Sequence, residues 1–367
     1  MPSNIGVLIP QSNAYPLMGK EFINGLRLGL GETEYKLIIE SIAFGSDPKQ
    51  LMNSVQKLIF QEDVLLTTGL LGHNGYWELA EFISKNEEVL LVSNLGSTKP
   101  IQTPTGVFEN SLGLYDSLGD LAHYFSQNNI CKIETSSCYY ESGYGFTEAL
   151  SSAIEKLPKV EFSGHFITPH HPREDEATQM LEYISTDNPD AIVAFHNGIF
   201  AKEHASYLVE NSLQKKYPIY ALPFTCDADL CKAHNAVFQD IKVISSWFVE
   251  LENDTNKKFI ADYTAAKGKQ PTIFALLGYE NGLIIADAIR HNNLPIKKAI
   301  SETIIQGPRG TIQFNETANN CIYNNYLWSI KSDNKEVLTK LPKNPIQSPK
   351  QIDQENLTGW MNAYLCH

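Results

Sequence analysis

Short apolar runs alternate with amphipathic stretches along almost the whole chain, and this order of strand, helix, strand, helix narrows the choice of fold more than any other feature. The strand-like runs fall at 5–10, 35–44, 63–68, 89–94 and 106–109, then at 130–136, 159–166, 190–196, 218–224 and 242–248. Most are rich in Val, Ile, Leu and Phe with little alternation, as strands buried on both faces of a parallel sheet require. Between them, Leu51, Val55 and Leu58 form a helical stripe over 47–61, opened by the capping signal "SDP". Ala201, Ala205 and Leu208 do the same over 200–214, and Ala275, Tyr279, Gly282, Ala286 and Ile289 line one face over 273–292. The pattern predicts an α/β protein made of two doubly wound parallel-sheet lobes. Helices over 253–268 and 273–292 follow the second block and leave chain to return to the first sheet.

Length supports two bodies, because 367 residues exceed what one ordinary core accommodates. A hydrophobic content of 43% and a charged content of 19% describe a folded chain, and no stretch approaches the roughly 20 apolar residues of a membrane helix. The formal net charge of −13 excludes nucleic acid and anionic membranes as expected partners, since their phosphates call for stripes of Lys and Arg. The opening "MPSNIGVLIP" has neither the basic nor the apolar region of a signal peptide. Two expectations follow: a cytoplasmic protein, or a mature form whose leader has been removed. Cysteines 131, 138, 226, 231, 321 and 366 show no C-x-x-C spacing, so a zinc or redox motif is not expected. Cys226 and Cys231 flank "DADL" and are spaced either for a small loop disulfide or to stand as free thiols.

In open parallel sheets, ligands bind beyond the carboxyl ends of the strands. The loops to watch are therefore 10–18, 67–77, 93–99, 137–145, 196–200 and 224–230. The first of them, within "IPQSNAYPLMGKEF", is longer than a plain strand-to-helix connection of about two to six residues. It carries two prolines that stiffen it, together with Tyr15 and Met18.

Five segments carry a family likeness: "IGVLIPQSNAYPLMGKEFINGLRLGL" at 5–30, "GVFEN" at 106–110, "YESGYGFTEAL" at 140–150, "FALLGYENGLIIADAI" at 274–289 and "GPRGTIQFNE" at 307–316. In this order and spacing the chain resembles the type 1 periplasmic binding proteins, in the leucine/isoleucine/valine-binding branch that serves ABC transporters. The resemblance implies two α/β lobes joined by three hinge crossings, near 110–118, 247–252 and 316–326. Lobe one would be 1–112 with 250–318, and lobe two 113–249 with 319–367.

The resemblance also implies where ligand is held. Met18 aligns with an apolar or aromatic wall for the ligand side chain, with Tyr15 covering it; the alternative is that Met18 packs under the helix start. In "TTGLLGHNGYWEL", Leu71, Gly72 and His73 occupy the loop where the family grips a carboxylate, and a glycine turn before a helix offers free amides for it. The family's serine is missing there, since Thr67 and Thr68 sit early, and a plain turn with a surface His73 is the other reading. In "VSNLGSTKP", Leu95 would offer backbone and Ser97 a hydroxyl, or Ser97 would cap the following turn. Tyr144 aligns with a tyrosine that meets ligand on closure, against packing on its own helix. Asn197 and Phe200 of "FHNGIF" follow a lobe-two strand, with helix capping the other role for Asn197. Asp227 of "PFTCDADL" is the nearest carboxylate for a ligand ammonium, which needs a partner once buried.

Catalytic signatures are lacking: there is no G-x-S-x-G elbow, no Walker A loop and no G-x-G-x-x-G after a strand. "TPHHP" at 168–172 has no carboxylate–histidine spacing for a metal, and Arg309 of "GPRG" reads as a structural hairpin residue rather than a ligand contact. The expectation is a binder and not an enzyme, with no cofactor or metal. A monomer would close on an amino acid or similar small carboxylate. If exported, to the periplasm or attached to the cell envelope, it would deliver that ligand to an ABC transporter permease. The alternative is a cytoplasmic sensor of the same fold acting on a regulatory partner.

Overall fold

The computed structural model describes residues 4–45, 47–71, 76–96, 104–138, 142–167, 176–226, 228–291, 293–316, 319–331 and 334–342. The side chains of 77, 142–145, 176, 177, 228, 331 and 334–338 are outside that description. Two compact units divide the chain. Of the described residues, the first holds those up to Gly113 together with Leu251–Tyr323, and the second holds Leu114–Glu250 and those from Asn324 to residue 342.

The first unit begins β1 (Asn4–Ile9), α1 (Met18–Leu30), β2 (Lys36–Ser41), α2 (Pro48–Phe60), β3 (Val64–Leu70), α3 (Tyr76–Lys85), β4 (Leu90–Ser93) and β5 (Val107–Glu109). Its sheet is parallel throughout, in the order β2-β1-β3-β4-β5. The central strands are buried along their length, whereas β2 at the edge alternates between exposed and half-buried residues. Helix α2 starts where the sequence signal lies, with the Asp47 carboxylate accepting from the amides of Lys49 and Gln50 and Pro48 in the first turn.

The second unit runs α4 (Leu114–Gln127), β6 (Lys132–Ser137), α5 (Ser142–Ile154), β7 (Glu161–Ile167), α6 (Glu176–Asp187), β8 (Ala191–Phe195), α7 (Gly198–Asn211), α8 (Leu213–Lys216) and β9 (Ile219–Ala221). A 3-10 turn (Pro223–Cys226), α9 (Ala228–Ala233), α10 (Asn235–Phe238) and β10 (Ile241–Ser245) follow. The chain then returns to the first unit as α11 (Asp254–Lys267), α12 (Ile273–Arg290), α13 (Ile296–Ser301), β11 (Ile304–Gly307) and β12 (Gly310–Gln313). It ends in the second unit with β13 (Tyr326–Lys331) and β14 (Asn334–Lys340).

Two expectations are corrected. The second sheet has seven strands, not five, in the order β14-β13-β10-β9-β8-β6-β7, because β13 and β14 add an antiparallel hairpin beside β10. The strand expected over 218–224 stops at Ala221, where Pro223 opens the 3-10 turn. The last segment of the first unit runs to Tyr323, with the backbones of Asn319 and Cys321 hydrogen-bonded to that of Glu109.

Helix α12 is the spine of the first unit. It lies against α1 so closely that a Cβ on Gly278 would stand 2.0 Å from the Phe22 carbonyl oxygen, and one on Gly25 would stand 1.9 Å from that of Ala275. Only glycine permits this backbone-to-backbone approach. It leaves most of α12 buried, where the sequence stripe suggested one apolar face.

Candidate functional site

Each sheet changes winding direction at one place. In the first unit this topological switch lies between β1 and β3, and in the second between β6 and β8. The crevice beyond the strand ends at such a point is where open α/β sheets take ligands. Every loop singled out in the sequence leaves the carboxyl end of one of these strands or of a neighbour.

In the first unit, the long connection after β1 folds back on itself. The Tyr15 amide donates to Ser12 Oγ at 3.0 Å, and the Met18 amide donates to the Tyr15 carbonyl at 3.0 Å. The Tyr15 ring is half-buried and leans on Phe274 at the start of α12, 5.7 Å between centroids. Met18 is only 1% exposed, whereas its neighbour Leu17 is 54% exposed at the N-cap of α1, where no side chain caps the helix. The outward apolar residue of this loop is therefore Leu17, which the sequence reading passed over.

Below the ends of β3 and β4 runs a buried polar chain. Thr68 Oγ1 donates to the Leu91 carbonyl at 2.7 Å and accepts from Asn281 Nδ2 at 3.0 Å, and Ser93 Oγ donates to Asn281 Oδ1 at 3.1 Å. Ser111 Oγ donates to Asn94 Oδ1 at 2.7 Å, while Asn94 Nδ2 is buried without a partner. Leu71 and Leu95 are both buried, and the Leu71 amide is committed to the Ser93 carbonyl at 3.0 Å. Gly72, His73 and Ser97 lie outside the described residues, as do Asp227 and 168–172; of Tyr144 only the backbone, in α5, is described.

In the second unit, a polar cluster gathers at the ends of β6 and β8. His196 directly follows β8, and its Nε2 lies 2.9 Å from Ser136 Oγ. The imidazole stacks on that of His204 from α7, 4.1 Å between centroids and 12° between planes. His196 Nδ1 and His204 Nε2 have no partner, and both residues are buried. Burial disfavours the charged imidazolium. It holds His204 down at about 4 and His196 well below its ordinary value, with His204 and His165 adding to the latter. His165 on β7, held between Thr135, Ser137 and Thr147, is lowered to about 4 by the same desolvation.

Asn197 sits at the N-cap of α7, yet its side chain does not cap the helix; Nδ2 reaches across to Cys138 Sγ at 3.4 Å, from the end of β8 to that of β6. Phe200 is buried, and Ile199 beside it is 62% exposed. Cys226 and Cys231 form no disulfide, and Cys231 Sγ donates to the Cys226 carbonyl at 3.2 Å. Further down β6, Glu134 is fully buried with both carboxylate oxygens unpartnered, and desolvation together with Asp187 raises it to about 7 against the pull of Lys132.

Arg309 is no free cation for a ligand: its side chain is fully buried and paired with Glu280. Among the described residues, no three His, Cys, Asp or Glu gather to hold a metal ion, and no helix is long and apolar enough to cross a membrane.

The family described as "Periplasmic binding protein" matches residues 2–335. A search of curated proteins gives no match. Among solved structures, an ABC transporter substrate-binding protein from Sphaerobacter thermophilus is similar over 94% of this chain and 98% of its own, with 19% identity and a TM-score of 0.80. A solute binding protein of an ABC transporter from R. palustris, in complex with benzoate, covers 93% and 96% with 20% identity and a TM-score of 0.76. A leucine binding protein from Thermotoga maritima covers 93% and 99% with 18% identity and a TM-score of 0.70.

Proposed function

The chain belongs to the periplasmic binding protein family, and on that footing we propose that it is an extracytoplasmic solute-binding protein of an ABC transporter. Its ligand is a small organic acid, either an amino acid or an aromatic carboxylate, held at the two switch points by closure of the lobes. The observation that carries the reading is the match of one binding-protein family to residues 2–335, which include both crevices. Similar folds hold benzoate in one case and belong to a leucine binding protein in another, so both acid classes enter the proposal.

The residues at the crevices support a binder over a catalyst. Imidazoles kept neutral by burial are poor carriers of charge, and the polar groups under β3 and β4 are mostly spent on one another. Apolar contact is offered instead by Leu17 and Ile199, each in a loop or first turn beyond a strand end. Tyr15, Ser97, Tyr144 and Asn197 remain the proposed polar contacts.

A thermal-shift panel of amino acids, benzoate and hydroxybenzoates at millimolar concentration tests the reading, followed by calorimetry on whatever shifts the transition. A ligand that stabilises the chain and is recovered unchanged supports it. A flat response to the whole panel defeats the small-acid assignment, and turnover of any compound defeats the binder assignment.

A further inference from the structure

The hairpin of β11 and β12 has a buried turn. Gly307–Arg309 are all buried, whereas the strands alternate, with Ile312 buried, Ile305 half-buried and Ile304, Gln306, Thr311 and Gln313 exposed. A turn taken out of water needs partners for its polar groups. Those partners show what this turn holds.

Among the described residues, three lines of chain leave the first unit, after Gly113, before Leu251 and after Tyr323. The turn touches all three on the first unit's side. Asn253 Nδ2 donates to the Pro308 carbonyl at 2.7 Å, and Asn256 Nδ2 fixes the Leu251 carbonyl at 2.9 Å. Arg309 Nη1 donates to the Ser111 carbonyl at 2.7 Å, and Nη2 donates to Asn110 Oδ1 at 2.8 Å. The same guanidinium lies 3.6 Å above the centroid of the Tyr323 ring, whose hydroxyl donates to the same Asn110 oxygen at 2.8 Å. Glu280 on α12 neutralises Arg309 and so ties the turn to the spine of the unit.

We propose that the turn Gly307–Gly310 is the fixed end of the hinge. It holds the first-unit ends of all three crossings as one body, so that lobe rotation is taken up just past it. Arg309 and Tyr323 are then positioning residues that set the balance of open and closed forms without touching ligand. Gly113 fits the arrangement, because its φ of +73° and the open space around its α-carbon suit a backbone that swivels there. The proposal rests on the reading of the protein as a two-lobe binder that closes.

Such a residue leaves a signature that a pocket residue does not: shifting the open–closed balance changes the apparent affinity for every ligand by one common factor. Two variants probe it. Arg309→Lys keeps the charge facing Glu280 and loses the fork, and Tyr323→Phe loses only the hydroxyl. Val55→Ala, in the core of the first unit on α2, which packs on β1, β2 and β3, serves as a control that lowers stability.

Small-angle scattering of the ligand-free proteins, well below their melting temperatures, should show altered dimensions for Arg309→Lys and Tyr323→Phe, and wild-type dimensions for Val55→Ala. Calorimetry with each amino acid or benzoate that binds the wild type should show one common factor, roughly 3- to 10-fold, per variant. Wild-type scattering and affinities in both hinge variants, alongside a lowered melting temperature, would overturn the proposal and leave the turn a purely structural tie. A wild type whose scattering does not change with any ligand that binds it would instead sink the closure reading, while the ligand-free comparison still decides the anchor.

Discussion

Arg309 and Glu280 pair where neither side chain meets solvent, with Arg309 Nε at 3.0 Å and 3.1 Å from the two carboxylate oxygens. Both charges have been taken out of water, so each depends on the other for its tolerance of burial. Removing one partner from such a pair costs about 3–5 kcal/mol, far more than the pair contributes in total. Glu280→Gln should therefore lose roughly that much stability in urea denaturation. The double change Glu280→Met with Arg309→Met should recover a large part of the loss, because it removes both charges together.

The packing of α1 on α12 gives a prediction of a different kind. Gly278→Ala places a methyl group 2.0 Å from the Phe22 carbonyl oxygen, and backbone on both sides prevents easy relief. Overpacking of this sort costs roughly 1–3 kcal/mol and occasionally more. A lower urea midpoint is the expected result. Gly31→Ala, at a φ of +67° with open space around it, should lose less, since only backbone strain opposes it.

Acid should weaken the second unit through its buried imidazoles. His204 is lowered to about 4 from an ordinary 6.5, so the unfolded chain binds its proton first. Its stabilising contribution is complete above pH 6.5 and is lost as pH falls towards 4. His196 and His165 act in the same direction. Urea midpoints should drop steadily from pH 7 to pH 4.5, and His204→Gln should flatten that slope by about one proton.

Glu134 works against this from the other side. Its carboxyl is raised to about 7, with Lys132 and Asp187 as its charged neighbours, so the folded state holds a proton that the unfolded chain has already released. Its contribution is complete below pH 4.5 and is lost as pH rises through about 7. Glu134→Gln should raise stability at pH 8 by roughly 1–3 kcal/mol and change it little at pH 5. The two windows overlap between about pH 4.5 and 6.5, so the two variants should change the slope of the profile there in opposite directions.

The strands buried on both faces were readable because continuous Val, Ile and Leu runs have no other economical explanation, as in "VLLTTGL" and "AIVAF". The hairpin of β13 and β14 was not, since "YLWSIK" and "NKEVLTK" interleave apolar residues with Lys and Glu as an edge hairpin does. The crevice loops were legible from strand order alone. The side chains that point outward were harder: one residue along a helix is a rotation of about 100°. That separates buried Met18 from exposed Leu17, and buried Phe200 from exposed Ile199. Periodicity does not fix that phase at a helix's first turn, where the chain enters from a loop. His196 was missed for another reason, because a single histidine after a strand carries no signal until its stacking partner His204 is seen across a helical turn.

The exposed pair Leu17 and Ile199 yields the last prediction. Neither side chain is packed in its own unit, at 54% and 62% exposure, so truncation should leave stability nearly unchanged. If they supply apolar contact to a bound acid, Leu17→Ala and Ile199→Ala should each weaken binding by about 1–2 kcal/mol, from lost apolar burial of about 25 cal/mol per Å². The loss should grow with the apolar bulk of the ligand and be small for glycine or alanine. Calorimetry across a series of amino acids and benzoates of rising size checks this. A loss equal for every ligand would place these residues in the closure balance and not in the wall of the pocket, and no loss at all would remove both from the site.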